Sequence, residues 1–319
     1  MRDTKLIMIT GMSGSGKSTT AQQLARQFQG NGIPHLWLHE EVERHPIREG
    51  EFTAGSLHSA EGMAANVADM YARWARLTAE IEQSGRVYIM EGCLYSNIIR
   101  YFFDADYPLE RIREFYDQVM AITSRLNPTV VFLQQADVRA TLQRAFRVRG
   151  ESWQRLVLDP ASFGYFAKRE YQGEASIYAM WDEYQAISDA MFERYQGNKI
   201  KLVTSDGAWE RHLRRLTEYL GLSYQAQPEA IAIDPERYVG RYLVEPGSER
   251  AITFKAVAGV LYCQLSWWSN MRLIPMGGDR FEALSFPIGF EFGLKDGKRS
   301  VKVTGSYDWS LTGKTLPEA

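Results

Sequence analysis

The stretch Leu6-Ile7-Met8-Ile9-Thr10-Gly11-Met12-Ser13-Gly14-Ser15-Gly16-Lys17-Ser18 decides how the first two thirds of the chain is read. Leu6 to Thr10 is a short run of apolar and β-branched residues, the pattern of a buried strand. Gly11 to Ser18 follows without a gap and is a complete G-x-x-x-x-G-K-[ST]. Beyond it Ala21, Leu24, Ala25 and Phe28 fall at i, i+3, i+4 and i+7, an apolar helical stripe that Gly30-Asn31-Gly32 ends. Strand, glycine loop and helix start together make a phosphate cradle. Glycines let backbone N–H groups curl around an anion, the helix N-terminus adds partial positive charge, and Lys17 reaches the β- and γ-phosphates. Gly11, Met12, Ser13, Gly14, Ser15, Gly16, Lys17, Ser18 and Thr19 are the expected nucleotide-binding residues, with the Ser18 hydroxyl on Mg²⁺.

Working outward, short β-rich runs alternate with long helical patterns. Strands are predicted at Leu6–Thr10, His35–Leu38, Val87–Met90, Thr129–Leu133 and Ile200–Val203. Helical spacing recurs from Ser56 to Gln83, Leu109 to Leu126 and Ser176 to Tyr195, and Trp209, Leu213, Leu216 and Leu220 share a helix face that Gly221 stops. This alternation predicts an α/β fold, a P-loop NTPase-type parallel sheet wrapped by helices. From Ser223 the sequence YQAQPEAIAIDPER reads as a linker. Seven runs follow, from Tyr238–Val244 through Ala251–Val257, Gly259–Ser266, Met271–Pro275, Phe281–Phe286 and Gly289–Gly293 to Ser300–Gly305. They predict seven or eight antiparallel strands in a small β-barrel-like domain. The boundaries are 1–222, a linker at 223–236, and 237–319.

The 319 residues, 45% apolar and 24% charged, suit two soluble domains and exclude a disordered or fibrous chain. With 37 basic against 39 acidic side chains, no global field draws the chain to nucleic acid or an anionic membrane. No apolar run approaches the ~20 residues of a membrane span, and MRDTKLIMITG lacks a secretory signal, so a cytoplasmic location is expected. Cys93 and Cys263, with five scattered histidines, suggest neither a disulfide framework nor a zinc site.

The phosphate cradle says nucleotide, and the other strand ends decide what happens to it. Arg86-Val-Tyr-Ile-Met-Glu91 delivers a carboxylate at the carboxyl edge of the third strand, where ligands sit in doubly wound sheets. Glu91 is a candidate to bind Mg²⁺ or orient a substrate. His39-Glu40-Glu41 ends the second strand with two carboxylates, one of which can take a proton from an attacking hydroxyl; the bland alternative is a solvated acidic turn. After the fourth strand, Arg144, Arg147 and Arg149 cluster before Gly150. An arginine-bearing lid would neutralise charge on a moving phosphoryl group and exclude water, against the alternative of a solvated helix face.

These residues carry a resemblance. The glycine loop, the second-strand glutamate, Glu91 followed by Gly92-Cys93-Leu94-Tyr95-Ser96-Asn97, and Asn127 to Gln134 with Leu142-Gln143-Arg144 and the arginine lid resemble the deoxynucleoside kinase and thymidylate kinase group, over residues 5 to 222. The resemblance implies an ATP- and Mg²⁺-dependent phosphotransferase acting on a small molecule, a nucleoside, nucleotide or related compound. Glu40 or Glu41 would be the base, Glu91 the motif acid, and Glu91, Tyr95 and Asn97 the substrate contacts. Two departures stand out: Gly92 replaces an arginine, and Asn97 replaces an acid that often reads the base.

Arg237-Tyr238-Val239-Gly240-Arg241-Tyr242, Gly259-Val260-Leu261-Tyr262, Leu273-Ile274-Pro275 and Asp279-Arg280-Phe281 are similar to the lipocalin-like β-domain appended to some bacterial serine hydrolases. That likeness implies a unit able to bind a hydrophobic ligand, cover the cleft or mediate a homodimer. A different functional class is an NTP-hydrolysing switch whose β-domain contacts a partner, and a third is a nucleotide binder without transfer activity. No N-K-x-D motif for guanine follows the fourth strand.

Overall fold

Three of the five short runs, Leu6–Gly11, Val87–Glu91 and Thr129–Gln134, are apolar on both faces and suit the middle of a sheet covered on both sides, whereas His35–Leu38 and Asn198–Val203, which carry His35, Lys199 and Lys201, suit its edges. A computed structural model, which describes residues 3–48, 59–95, 99–226, 231–244, 249–265, 268–305 and 311–319, arranges them in that way. The first unit takes in Met1–Arg147 and Glu151–Tyr224. Its strands are β1 (Leu6–Gly11), β2 (His35–Leu38), β3 (Val87–Glu91), β4 (Thr129–Gln134) and β5 (Asn198–Val203), all parallel, in the order β2-β3-β1-β4-β5. The chain leaves β1 toward one edge, returns through β3, and then crosses to β4 on the other side. This reversal places a crevice above the carboxyl end of β1.

Helices α1 (Lys17–Gly30) and α8 (Trp209–Leu220) cover one face. Leu24 and Phe28 of α1 and Leu216 and Leu220 of α8 are completely buried against Ile7, Ile9, Val131 and Leu133. Each such side chain contributes about 1.5–3 kcal/mol of burial free energy. The other face carries α2 (Ala60–Ser84), α4 (Leu109–Thr123) and α7 (Glu174–Arg194), with Phe132 of β4 meeting Phe192 of α7 at 5.6 Å between ring centroids. Helix α5 (Val138–Arg149) carries the arginines that follow β4, and two further helices, α3 (Arg100–Asp104) and α6 (Glu151–Leu158), lie in connections that periodicity left blank. Ser59 caps α2 by accepting from Gly62 N–H at 3.0 Å, so the helix starts later than Ser56, and Ser56 itself lies outside the described residues.

The second unit contains Gln225–Ala319. Its strands are β6 (Gly240–Leu243), β7 (Ala251–Val257), β8 (Val260–Leu265), β9 (Trp268–Gly277), β10 (Arg280–Ala283), β11 (Ile288–Lys295), β12 (Lys298–Gly305) and β13 (Thr315–Pro317). Each pairs antiparallel with the next. An antiparallel bridge between Tyr242 and Glu318, with Ala319 N–H donating to Arg241 C=O at 2.9 Å, brings the two edges together into a nearly closed barrel. Tyr242, Phe254, Phe281, Phe290 and Val303 are buried inside, and the aromatic rings among them meet edge-on, Phe254 to Phe290 at 5.1 Å.

The first strand begins later than its sequence predicts. Asp234 caps a 3-10 turn at Pro235–Tyr238 by accepting from Glu236 N–H, which withdraws Tyr238 from the strand. Strand β10 stops at Ala283 because the chain turns at Ser285 with φ 68°. Strand β13 is three residues long, too short for a periodicity to show. Ser266, Trp267 and the side chain of Trp268 lie outside the described residues, as do 227–230 of the expected linker.

Candidate nucleotide site

The glycine loop turns from the end of β1 into α1, and its geometry depends on the absence of side chains. Gly16, the residue before α1, has φ 93°. A Cβ there would stand 2.7 Å from Cζ3 of Trp209, whose ring packs beneath the loop. Gly14 packs near Thr141 and Ala145 of α5. Lys17 is buried, and its ammonium donates to Met12 C=O at 3.2 Å, within the loop. Met12 and Ser15 are also buried, Gly14 is exposed, and Ser13, Ser18 and Thr19 are half-buried.

The parallel register sets what faces the loop. Ile9 pairs with Glu91, so the last residue of β3 ends beside the start of the loop. Ser18 Oγ donates to Glu91 Oε1 at 3.1 Å, and Glu40 N–H donates to the same oxygen at 3.3 Å. His39 Nε2 lies 3.3 Å from it. His39 Nδ1 accepts from Glu41 N–H at 2.9 Å, which leaves the ring proton on Nε2, facing Glu91. Glu91 is fully buried. Burial first, and then the charge of Glu40, push its carboxyl up to about 8, while Lys17 and the hydrogen bonds from Glu40 and Ser18 pull it down.

Glu91 Oε2 is buried and has no hydrogen-bond partner among the described residues. An orphaned carboxylate oxygen beside a serine hydroxyl is a hard oxygen donor pair of the kind Mg²⁺ takes, so the residues present fit the ion. Among the described residues no group of three His, Cys, Asp or Glu side chains could hold a metal by itself. The remaining ligands would then be phosphate oxygens and water.

The two second-strand glutamates diverge. The Glu40 carboxylate lies over Gly92, which has φ 74°, while Glu41 sits 3.7 Å from Arg48. Burial, followed by the Glu40 charge, raises the Glu41 carboxyl. Arg48 also donates to Glu40 C=O. The structure therefore brings Lys17, Ser18, Glu40 and Glu91 to one place and turns Glu41 toward an arginine.

The arginines divide too. Arg144 donates to Thr141 Oγ1 at 2.9 Å and to Gln135 Oε1 at 3.2 Å. Gln135 Nε2 donates to Thr204 Oγ1 at 2.7 Å, and that hydroxyl donates to Ser15 C=O of the loop at 3.0 Å. Arg144 is thus tied to the glycine loop through two side chains and belongs to the body of α5, not to a free lid. Arg147 is exposed, and Arg149 is half-buried in the last turn before Gly150. Tyr95, expected to touch substrate, is instead completely buried, with its hydroxyl donating to Tyr116 at 3.3 Å and its ring against Phe132. The cause is packing: after Glu91 the chain turns back over the sheet and Tyr95 faces the α4 side. Ser96 and Asn97 lie outside the described residues.

Sequence reading missed His39, Gln135, Thr204 and the reason for Gly92. Position was the available signal for two of them, since His39 and Gln135 each immediately follow a strand at the crevice edge. Among the described residues no helix is long and apolar enough to cross a membrane.

Neither a family model nor a curated protein matches the chain. Among solved structures, one similar fold is YorR of Bacillus subtilis in complex with phosphorylated GDP. It is 15% identical and covers 68% of this chain and 95% of its own, with a TM-score of 0.38. Another is APE1195, also 15% identical, covering 69% and 97%, with a TM-score of 0.39.

Proposed function

We propose that the first unit is an ATP-dependent phosphotransferase that uses Mg²⁺ and acts on a small molecule, a nucleoside, nucleotide or related compound. The observation that carries this reading is the contact of the loop hydroxyl of Ser18 with the buried third-strand carboxylate of Glu91, with the Glu40 carboxylate beside it. A loop that only bound nucleotide would not need two carboxylates at its mouth, since like charges near phosphate oppose binding unless a cation or a proton transfer uses them.

Lys17 and the loop N–H groups bind the phosphates, and Lys17 offsets charge on the β- and γ-oxygens. Ser18 and Glu91 would hold Mg²⁺, which supplies charge neutralisation on the transferring phosphoryl group. Glu40 receives the proton of the acceptor hydroxyl, while Arg144, anchored through Gln135, faces the charge that develops on the phosphoryl oxygens.

The test is ADP release with Mg-ATP against a panel of nucleosides, deoxynucleosides, nucleoside monophosphates and sugars, with product masses. One acceptor that raises ADP release and gains the mass of a phosphate supports the reading. Release that ignores every acceptor overturns it in favour of an NTP-hydrolysing switch.

A further inference from the structure

The segment that carries Glu40 and Glu41 is held to the end of β3 by a chain of hydrogen bonds that runs through two buried residues. His45 and Cys93 are 2% and 3% exposed. His45 Nδ1 accepts from the N–H groups of Ile47 at 3.1 Å and Arg48 at 3.2 Å. Its lone pair is therefore occupied, and the ring proton belongs on Nε2. Nε2 lies 3.1 Å from Cys93 Sγ, and the Cys93 thiol in turn donates to Glu91 C=O at 3.2 Å.

Every donor in this chain points the same way, from the backbone of 47–48, through imidazole and thiol, to the carbonyl of Glu91. A Cys–His pair of this polarity is not a nucleophile and its base. The imidazole gives its proton toward sulfur instead of taking one, and the thiol proton is committed to a carbonyl. What the chain does is fix distance. The second-strand segment and the third-strand end come from elements 51 positions apart, since Glu40 and Glu91 are that far apart in sequence. Besides it, the two are joined by the parallel β2–β3 ladder, which ends at Leu38 and Met90, and by the contacts of Glu40 N–H and His39 with the Glu91 carboxylate.

We infer that His45 is a positioning residue, which acts through Cys93 to hold Glu40 at the place where it takes the acceptor proton. The inference rests on the phosphotransferase reading for its catalytic consequence, because a general base works only within hydrogen-bond reach of its proton and an ångström of displacement costs about 10²-fold. Its structural content is independent of that reading.

Two variants at the sulfur test it without disturbing the ring. Cys93→Ala cuts the chain; Cys93→Ser keeps a donor and an acceptor at nearly the same place. In the full chain, Cys93→Ala speeds amide exchange across 39–48 by about 10-fold, and Cys93→Ser leaves it near the wild-type rate. With the acceptor found for the wild type, Cys93→Ala and His45→Phe lower kcat by about 10- to 100-fold and keep ATP affinity within about three-fold, and Cys93→Ser recovers turnover. Equal exchange in Cys93→Ala and Cys93→Ser overturns the inference, whether or not any acceptor has been found. If the wild type transfers phosphate to nothing, the phosphotransferase reading fails while the exchange comparison still decides the clamp. Equal turnover in the two sulfur variants removes the catalytic role.

Discussion

Glu40 stands where a side chain at position 92 would have to go. A Cβ built on Gly92 would lie 2.9 Å from Glu40 Cδ and 3.2 Å from Glu40 Cβ, and would overlap the carboxylate itself. The kinase resemblance expects an arginine at this position, and its loss looks at first like missing machinery. In this chain the glycine is what admits the second-strand carboxylate to the mouth of the loop.

Gly92→Ala is therefore expected to lower turnover by about 10²-fold by displacing Glu40, with ATP affinity changed less than about three-fold. The left-handed backbone adds about 1–2 kcal/mol of destabilisation. Steady-state kinetics and a urea melt check both parts. Unchanged kcat would show that Glu40 does its work elsewhere.

Glu40→Gln and Glu41→Gln should behave differently, although the residues are adjacent. The first removes the proposed base and is expected to cost at least about 10²-fold in kcat. The second breaks a pair with Arg48 and is expected to cost less than about 10-fold. A larger loss from Glu41→Gln would exchange the two roles.

Lys17→Ala is expected to abolish the rise in melting temperature that Mg-ATP gives the wild type, a shift that follows from ligand binding to the folded state alone. Thermal melts with and without nucleotide measure it. Ser18→Ala, by contrast, should keep protection by ATP in EDTA and lose the extra protection that Mg²⁺ adds.

Asp104 predicts a pH dependence away from the loop. Burial pushes its carboxyl up from 3.8 to about 6, against the pull of Arg100, which pairs with it at 2.8 Å. Because folding favours the protonated form, its contribution is present in full below about pH 4 and is lost as pH rises through 6. The loss is at most about 3 kcal/mol, from about two pKa units. The stability of Asp104→Asn relative to wild type should thus improve between pH 4 and pH 8. A difference that stays constant with pH would place the carboxylate in water.

Much of this arrangement was legible in the residues. Leu6 to Phe28 specified strand, loop and helix together because each piece has its own local cause: β-branched residues, glycines, an apolar stripe. Glu91 was legible because parallel strands end on one side. The His45–Cys93–Glu91 chain was not, since it joins positions that only the order β2-β3-β1 makes neighbours. Tyr95 was misplaced for the same reason: whether a residue after a strand faces crevice or core depends on the turn at Gly92, which its own sequence does not dictate. Helix α6 and strand β13 escaped because they are too short for a period to emerge.

The rings that meet across the β-barrel have a consequence for what that unit can do. Phe254, Phe290 and Tyr242 are buried against one another in the interior of the barrel, with Tyr242 to Phe254 at 5.4 Å and Phe254 to Phe290 at 5.1 Å between ring centroids. A guest entering the lumen would have to evict several aromatic side chains at once.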